Sequence, residues 1–141
     1  DGETDEAVCV IDLDTVMPGL ALYDFGDLVR GATSPVAEDE LDTSKVEMRL
    51  PMFEAIVEGY LETAANFLTP LEIDLLPFSA KLISLETGIR FLTDYLEGDQ
   101  YFRVHRDNHN LDRCRTQLAL VKSIENQESK MLDFVKKWHS S

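Results

Sequence analysis

Cysteine is scarce in this chain. Cys9 and Cys114 are its two, and they stand far apart. With no CxxC pair and no Cys/His cluster, a structural zinc site has no ligand set, and two free thiols in a reducing compartment are the expectation. Basic charge is short as well: 13 Lys and Arg face 27 Asp and Glu, a net charge of -14. A field of that sign repels phosphate backbones and anionic bilayers, so neither nucleic acid nor a membrane surface is an expected partner. No apolar run approaches the ~20 residues that span a bilayer. No basic-then-apolar leader precedes Ala7, and the cytoplasm is the expected location.

What the chain does have is the balance of a soluble globular domain, 44% hydrophobic and 28% charged residues. Its 141 residues suffice for one domain, 1–141, around a single core. The β-branched run Ala7-Val8-Cys9-Val10-Ile11 reads as one short buried strand ending at Asp12. Met17-Pro18-Gly19 marks a turn, and a short helix is expected from Tyr23 to about Gly31. After a polar loop, Ser44-Lys45-Val46-Glu47 has the form of a capping box. A helix is then expected from about Pro51 to Leu68, with Phe53, Ile56, Val57, Tyr60, Leu61, Ala64 and Leu68 on one broad face.

Thr69-Pro70-Leu71-Glu72 is the clearest helix start, and Pro77 should kink or split the helix that runs on to about Leu96 and stops at Gly98. That helix is apolar on most sides and is expected at the centre of a bundle. A final helix should run from about Leu111 to Trp138, capped by Asp107 or Asn110, with a polar middle that is exposed or bent. One strand cannot stand alone. Its sheet partner is expected from chain lying upstream or from a second copy, so self-association through the strand is an expectation.

The chemistry concentrates where the strand ends. Asp12 and Asp14 alternate along an extended segment, so both carboxylates face one side, where they could share a magnesium ion. Equally, Asp12 could merely end the strand and Asp14 solvate a turn. Arg90 is a charge on a mostly apolar helix and must face a cleft or a partner, with Asp94 one turn away as a possible ion-pair mate. His105 and His109 sit among charged residues and read as loop-packing groups rather than metal ligands.

The string Val10-Ile11-Asp12-Leu13-Asp14-Thr15-Val16-Met17-Pro18-Gly19, followed by Tyr23-Asp24-Phe25-Gly26-Asp27, resembles the metal-binding segment of the aminoglycoside-phosphotransferase and choline-kinase superfamily. Its wording is similar to the N-acetylhexosamine 1-kinase branch. The likeness continues through Thr87 to Asp99 and His109 to Arg115, and so covers nearly the whole chain.

The resemblance implies a mainly α fold, the helical C-terminal lobe of a protein-kinase-like fold with one short N-terminal strand. It implies ATP as co-substrate and Mg²⁺ held by Asp12, with Asp14 as a supporting or second-metal carboxylate. It implies sugar contacts from Thr15, Arg90 and Tyr101. Asp24-Phe25-Gly26 spells the kinase metal motif but aligns elsewhere: Asp24 matches a later aspartate that braces the catalytic loop. The family's His-x-Asp loop, with an Asn about five residues on, does not occur in this chain. The resemblance therefore places the base and the ATP-holding lobe upstream on a longer polypeptide, and these 141 residues are expected to be inactive by themselves.

Two other functions remain open. One is a non-catalytic helical binding module, with the acidic pair as surface decoration. The other is a sulfatase, because relatives of this branch carry a mucin-desulfatase label. Sulfatase chemistry needs a nucleophile in a Cys/Ser-x-Pro-x-Arg setting, which neither Cys9-Val10-Ile11 nor Cys114-Arg115-Thr116 supplies.

Overall fold

The computed structural model describes residues 9, 11, 13, 14 and 16–140, with the side chains of 139 and 140 excepted. The expected strand lies outside the described residues apart from Cys9 and Ile11, both exposed. Among the described residues there is no strand, and the architecture is helical. Five α-helices follow one another: α1 (Ala21–Thr33), α2 (Leu50–Ala64), α3 (Pro70–Asp74), α4 (Leu76–Leu96) and α5 (His109–Lys136). A 3₁₀ turn at Thr43–Lys45 precedes α2, and another at Lys137–Ser140 follows α5. Among the described residues no helix is long and apolar enough to cross a membrane.

Helix α1 starts after Leu20 and stops at Ser34, whose extended backbone is what a following Pro35 favours. The capping box expected at Ser44 does not form. Asp42 instead accepts from the Ser44 amide and hydroxyl, which makes an isolated 3₁₀ turn. Helix α2 stops at Ala64, short of Leu68, and in the turn that follows the Phe67 and Leu68 amides both donate to the Ala64 carbonyl. Leu68 still reaches the core from that turn.

The box at Thr69 forms in full: its hydroxyl accepts from the Glu72 amide, and the Glu72 carboxylate accepts from the Thr69 amide at 2.7 Å. Pro77 does split the apolar run, at Leu75, into α3 and α4. The polar middle of α5 is largely exposed, yet the helix runs through it unbroken.

The core lies where α1, α2, α4 and α5 meet. Phe25 meets Phe53 edge-on at 6.3 Å and leans on Tyr60 at 5.1 Å. Val57, Leu61, Leu76, Leu120, Ile124 and Met131 complete it, and each fully buried side chain of this size contributes about 1.5–3 kcal/mol. The extended segment before α2 is tied on two sides: the Met48 amide donates to Ser123 Oγ at 3.0 Å, and Arg49 Nε donates to the Thr33 carbonyl at 2.9 Å.

Helix α4 departs from the expected all-round burial. The face it turns to α1 and α5 carries mostly small or polar residues, among them Ser79, Ala80, Ser84 and Gly88. The small residues let the backbones approach. A Cβ on Gly26 would lie 2.6 Å from the Ser79 carbonyl oxygen, and one on Gly88 would lie 3.1 Å from Gln117 Cβ. The larger apolar residues Phe78, Leu82, Leu85, Ile89, Leu92 and Leu96 are left on the outside.

Candidate functional site

Helices α1 and α4 diverge from their close crossing and, with the loop after α4, enclose an open cleft of about 850 Å³. Its apolar floor includes Ile83, Phe91 and Phe102. Arg30, Arg90, Arg103 and Arg113 bring positive charge to its walls, and Asp24, Asp27, Glu38 and Glu86 bring negative charge.

Several of these charges are already matched. Arg30 donates to Asp27 at 2.7 Å and to Glu38 at 2.6 Å. Arg113 rides over Phe91 at 5.4 Å and donates to the Arg103 carbonyl and to Asn110 Oδ1. Its buried Nε has no hydrogen-bond partner and lies 3.8 Å from Glu38 Oε2. Mixed donors and acceptors over aromatic surface suit a neutral, hydroxyl-rich ligand better than an anion or a lipid tail.

Arg90 sits at the cleft edge and does not pair with Asp94. Its partner is Glu86, one turn back, at 3.8 Å. The guanidinium lies over Phe102 at 5.6 Å and Tyr101 at 5.9 Å, so the two rings hold its apolar face and leave its donors half exposed. Tyr101 meets Phe102 edge-on at 4.8 Å and is itself exposed.

Asp24 lies in the first turn of α1, where its charge suits the helix dipole, and it lines the cleft. It is not the cap, a position Leu20 occupies. Asp12 and Thr15 lie outside the described residues. Asp14 is exposed in a turn closed by the Val16 amide donating to the Leu13 carbonyl at 3.2 Å. As a hydrated carboxylate it has the donor chemistry Mg²⁺ takes. The structure thus brings Asp24 and Arg90 to one cleft and sets Tyr101 against Arg90.

Asp94, expected from the sequence only as a mate for Arg90, organises this corner instead. It is buried at the end of α4. Its Oδ1 accepts from the Gln100 and Tyr101 amides at 2.9 and 2.7 Å, and its Oδ2 accepts from the Phe102 amide and Asn110 Nδ2, both at 2.9 Å. The signal was present: a carboxylate in the last turn opposes the helix dipole and needs donors from elsewhere. The turn that supplies them passes through left-handed backbone at Gly98 (φ 87) and Asp99 (φ 57).

Burial works against the charged form of Asp94, but the amides of Phe102, Tyr101 and Gln100 and the Asn110 side chain outweigh it and hold the carboxyl below its ordinary range. The folded pKa is therefore the lower one. Its stabilisation is complete above the unfolded value of about 3.9 and is lost as pH falls through the folded value. Asp94→Asn should speed amide exchange at Gln100, Tyr101 and Phe102 at neutral pH by at least ~10-fold, and should remove this component from acid unfolding. Unchanged exchange at these three amides would show that the turn holds without the carboxylate.

The histidines pack as expected. The buried His109 accepts from the His105 amide through Nδ1 at 3.2 Å, which leaves Nε2 to donate to Asp39 at 2.9 Å. This clasp ties the loop before the 3₁₀ turn to the start of α5. Arg106 reinforces it, paired closely with Asp112 and 3.8 Å from Asp39. Neither Asp107 nor Asn110 caps α5; the N-cap is Asn108, in left-handed backbone, and Asn110 instead bridges Asp94 and Asp99. Among the described residues no group of three or more His, Cys, Asp or Glu side chains is placed to hold a metal.

No model of a known protein family matches the chain.

Proposed function

We propose that this chain is part of a phosphotransferase of the aminoglycoside-phosphotransferase and choline-kinase type, contributing the acceptor side of the reaction. In this reading the γ-phosphoryl of ATP passes to the anomeric hydroxyl of an N-acetylhexosamine or a similar sugar, a step in carbohydrate metabolism. Asp12 and Asp14 would hold Mg²⁺, which when bound offsets charge on the transferring phosphoryl group. Thr15, Arg90 and Tyr101 would hold the sugar, and Asp24 would brace a catalytic loop contributed by chain beyond these residues.

The observation that carries the reading is the guanidinium of Arg90 held against the Tyr101 and Phe102 rings at the edge of the cleft that Asp24 lines. An Arg fork reads hydroxyls and an acetamide carbonyl, and an aromatic ring packs against a sugar face.

The test is a calorimetric or NMR titration of the 141-residue chain with N-acetylglucosamine and N-acetylgalactosamine. Saturable binding is expected, weakened at least ~10-fold by Arg90→Ala and by Tyr101→Ala. Equal affinity in both variants would remove these residues from sugar binding. Absence of saturable binding to either sugar would count against the sugar site. A second reading, a non-catalytic helical binding module, draws support from the outward apolar residues of α4. Titration with Mg²⁺-ATP of a polypeptide carrying both lobes separates the two, because a binding module has no metal-dependent nucleotide affinity.

A further inference from the structure

The outward face of α4 follows a rule of its own. Phe78, Leu82, Leu85, Ile89, Leu92 and Leu96 are spaced 4-3-4-3-4, the spacing of a coiled-coil seam, and all six are exposed. The seam runs about 27 Å along the helix. Its large side chains point away from the protein while Ser79, Ala80, Ser84 and Gly88 point in, the reverse of an ordinary surface helix. Ile89 is 54% and Leu96 75% exposed. Together the six leave on the order of 600 Å² of apolar surface, the upper end of what a monomer shows.

We propose that this face pairs with the same face of a second copy of the chain, α4 against α4, antiparallel. The proposal is independent of the kinase reading. A seam spaced 4-3-4-3-4 reads the same from either end, so a two-fold axis through the seam midway between Leu85 and Ile89 sets Phe78 opposite Leu96, Leu82 opposite Leu92 and Leu85 opposite Ile89. Every layer is then apolar on both sides, and the two helix dipoles oppose. The six side chains fall somewhat short of the roughly 800 Å² per partner that a stable pair buries, which fits a weak, reversible pair. The net charge of -14 on each copy opposes close approach, so the pair should be of micromolar strength and firmer when salt screens the repulsion. This route to self-association is distinct from pairing through the segment at residues 7–11.

Sedimentation equilibrium of the 141-residue chain in about 0.5 M salt, where the Debye length is a few ångströms, tests the proposal. A reversible dimer is expected. Leu85→Glu/Ile89→Glu should weaken it at least ~100-fold with the helical circular dichroism unchanged, because both side chains are exposed in the single copy. A chain that stays monomeric at several hundred micromolar overturns the proposal. So does a dimer that the double variant leaves intact, which would place the contact elsewhere.

Direction is read from Leu82→Cys/Leu92→Cys in a Cys9→Ser background under mild oxidation. Disulfides joining position 82 of one copy to position 92 of the other are expected. Links from 82 to 82 and from 92 to 92 overturn the antiparallel arrangement.

Discussion

Gly26→Val is expected to destabilise the fold by about 3 kcal/mol or more and to part α1 from α4. A glycine inside a helix is ordinarily a defect, about 1 kcal/mol worse than alanine, so a larger residue in α1 should help on propensity alone. Here the contact decides otherwise. The first carbon added at Gly26 would fall 2.6 Å from Ser79 oxygen and 2.6 Å from Ile83 Cγ1. Ile83 could turn aside, but the Ser79 carbonyl is backbone inside α4 and cannot move without moving the helix. Valine adds two further methyl groups to the same space. A loss of this size is a large share of the 5–15 kcal/mol by which domains are usually stable. Urea unfolding should show the lowered midpoint, and a near-normal midpoint would mean that the crossing is looser than it looks. Tyr23, Asp24 and Asp27 stand on the same helix at the cleft wall, so the hexosamine binding proposed for this cleft should weaken in this variant as well.

The second large effect belongs to the proposed function and concerns a longer polypeptide that would also carry the ATP-holding lobe and the base. Asp12→Asn is expected to cut turnover by at least ~10²-fold with the fold intact. The amide keeps the shape and removes the charge, and a hard divalent cation depends on that charge. Arg90→Ala in the same polypeptide should behave differently, raising KM more than it lowers kcat, because it would remove binding that substrate and transition state share. Near-normal turnover of Asp12→Asn would take Asp12 out of the metal role and with it the main support for phosphoryl transfer.

The parts of this fold legible in the sequence are those governed by neighbours along the chain. Thr69 to Glu72 closes its capping box within four residues, and Pro77 breaks the helix by a clash with its own preceding turn, so both follow from local chemistry. The core residues of α2 follow from a 3.6-residue period. The outward face of α4 was not legible, because periodicity tells which residues are apolar and not which are covered. Five small or polar residues in the same stretch, Ser79, Ala80, Ser84, Gly88 and Asp94, proved to be the better guide to what faces inward.

The pairing of Arg90 was misread for a related reason. Spacing of four allows a bond to Asp94, but three amides of the following turn compete for that carboxylate at closer range and win. Of the residues lining the cleft, Asp24 and Arg90 were named by the resemblance, and Tyr101, named with them, lies against Arg90. Arg113 and Glu38 were not, since they meet only through the tertiary fold.

The carboxylate at the end of α4 also bears on how the molecule assembles. By gathering three amides and the side chain of Asn110, it cinches the short connection between α4 and α5, and those two helices make the most extensive contact in the structure. Bringing together ends so near in sequence costs little chain entropy. This helical hairpin is therefore the natural nucleus, a local unit that can zip up early and offer a surface on which α1 and α2 condense.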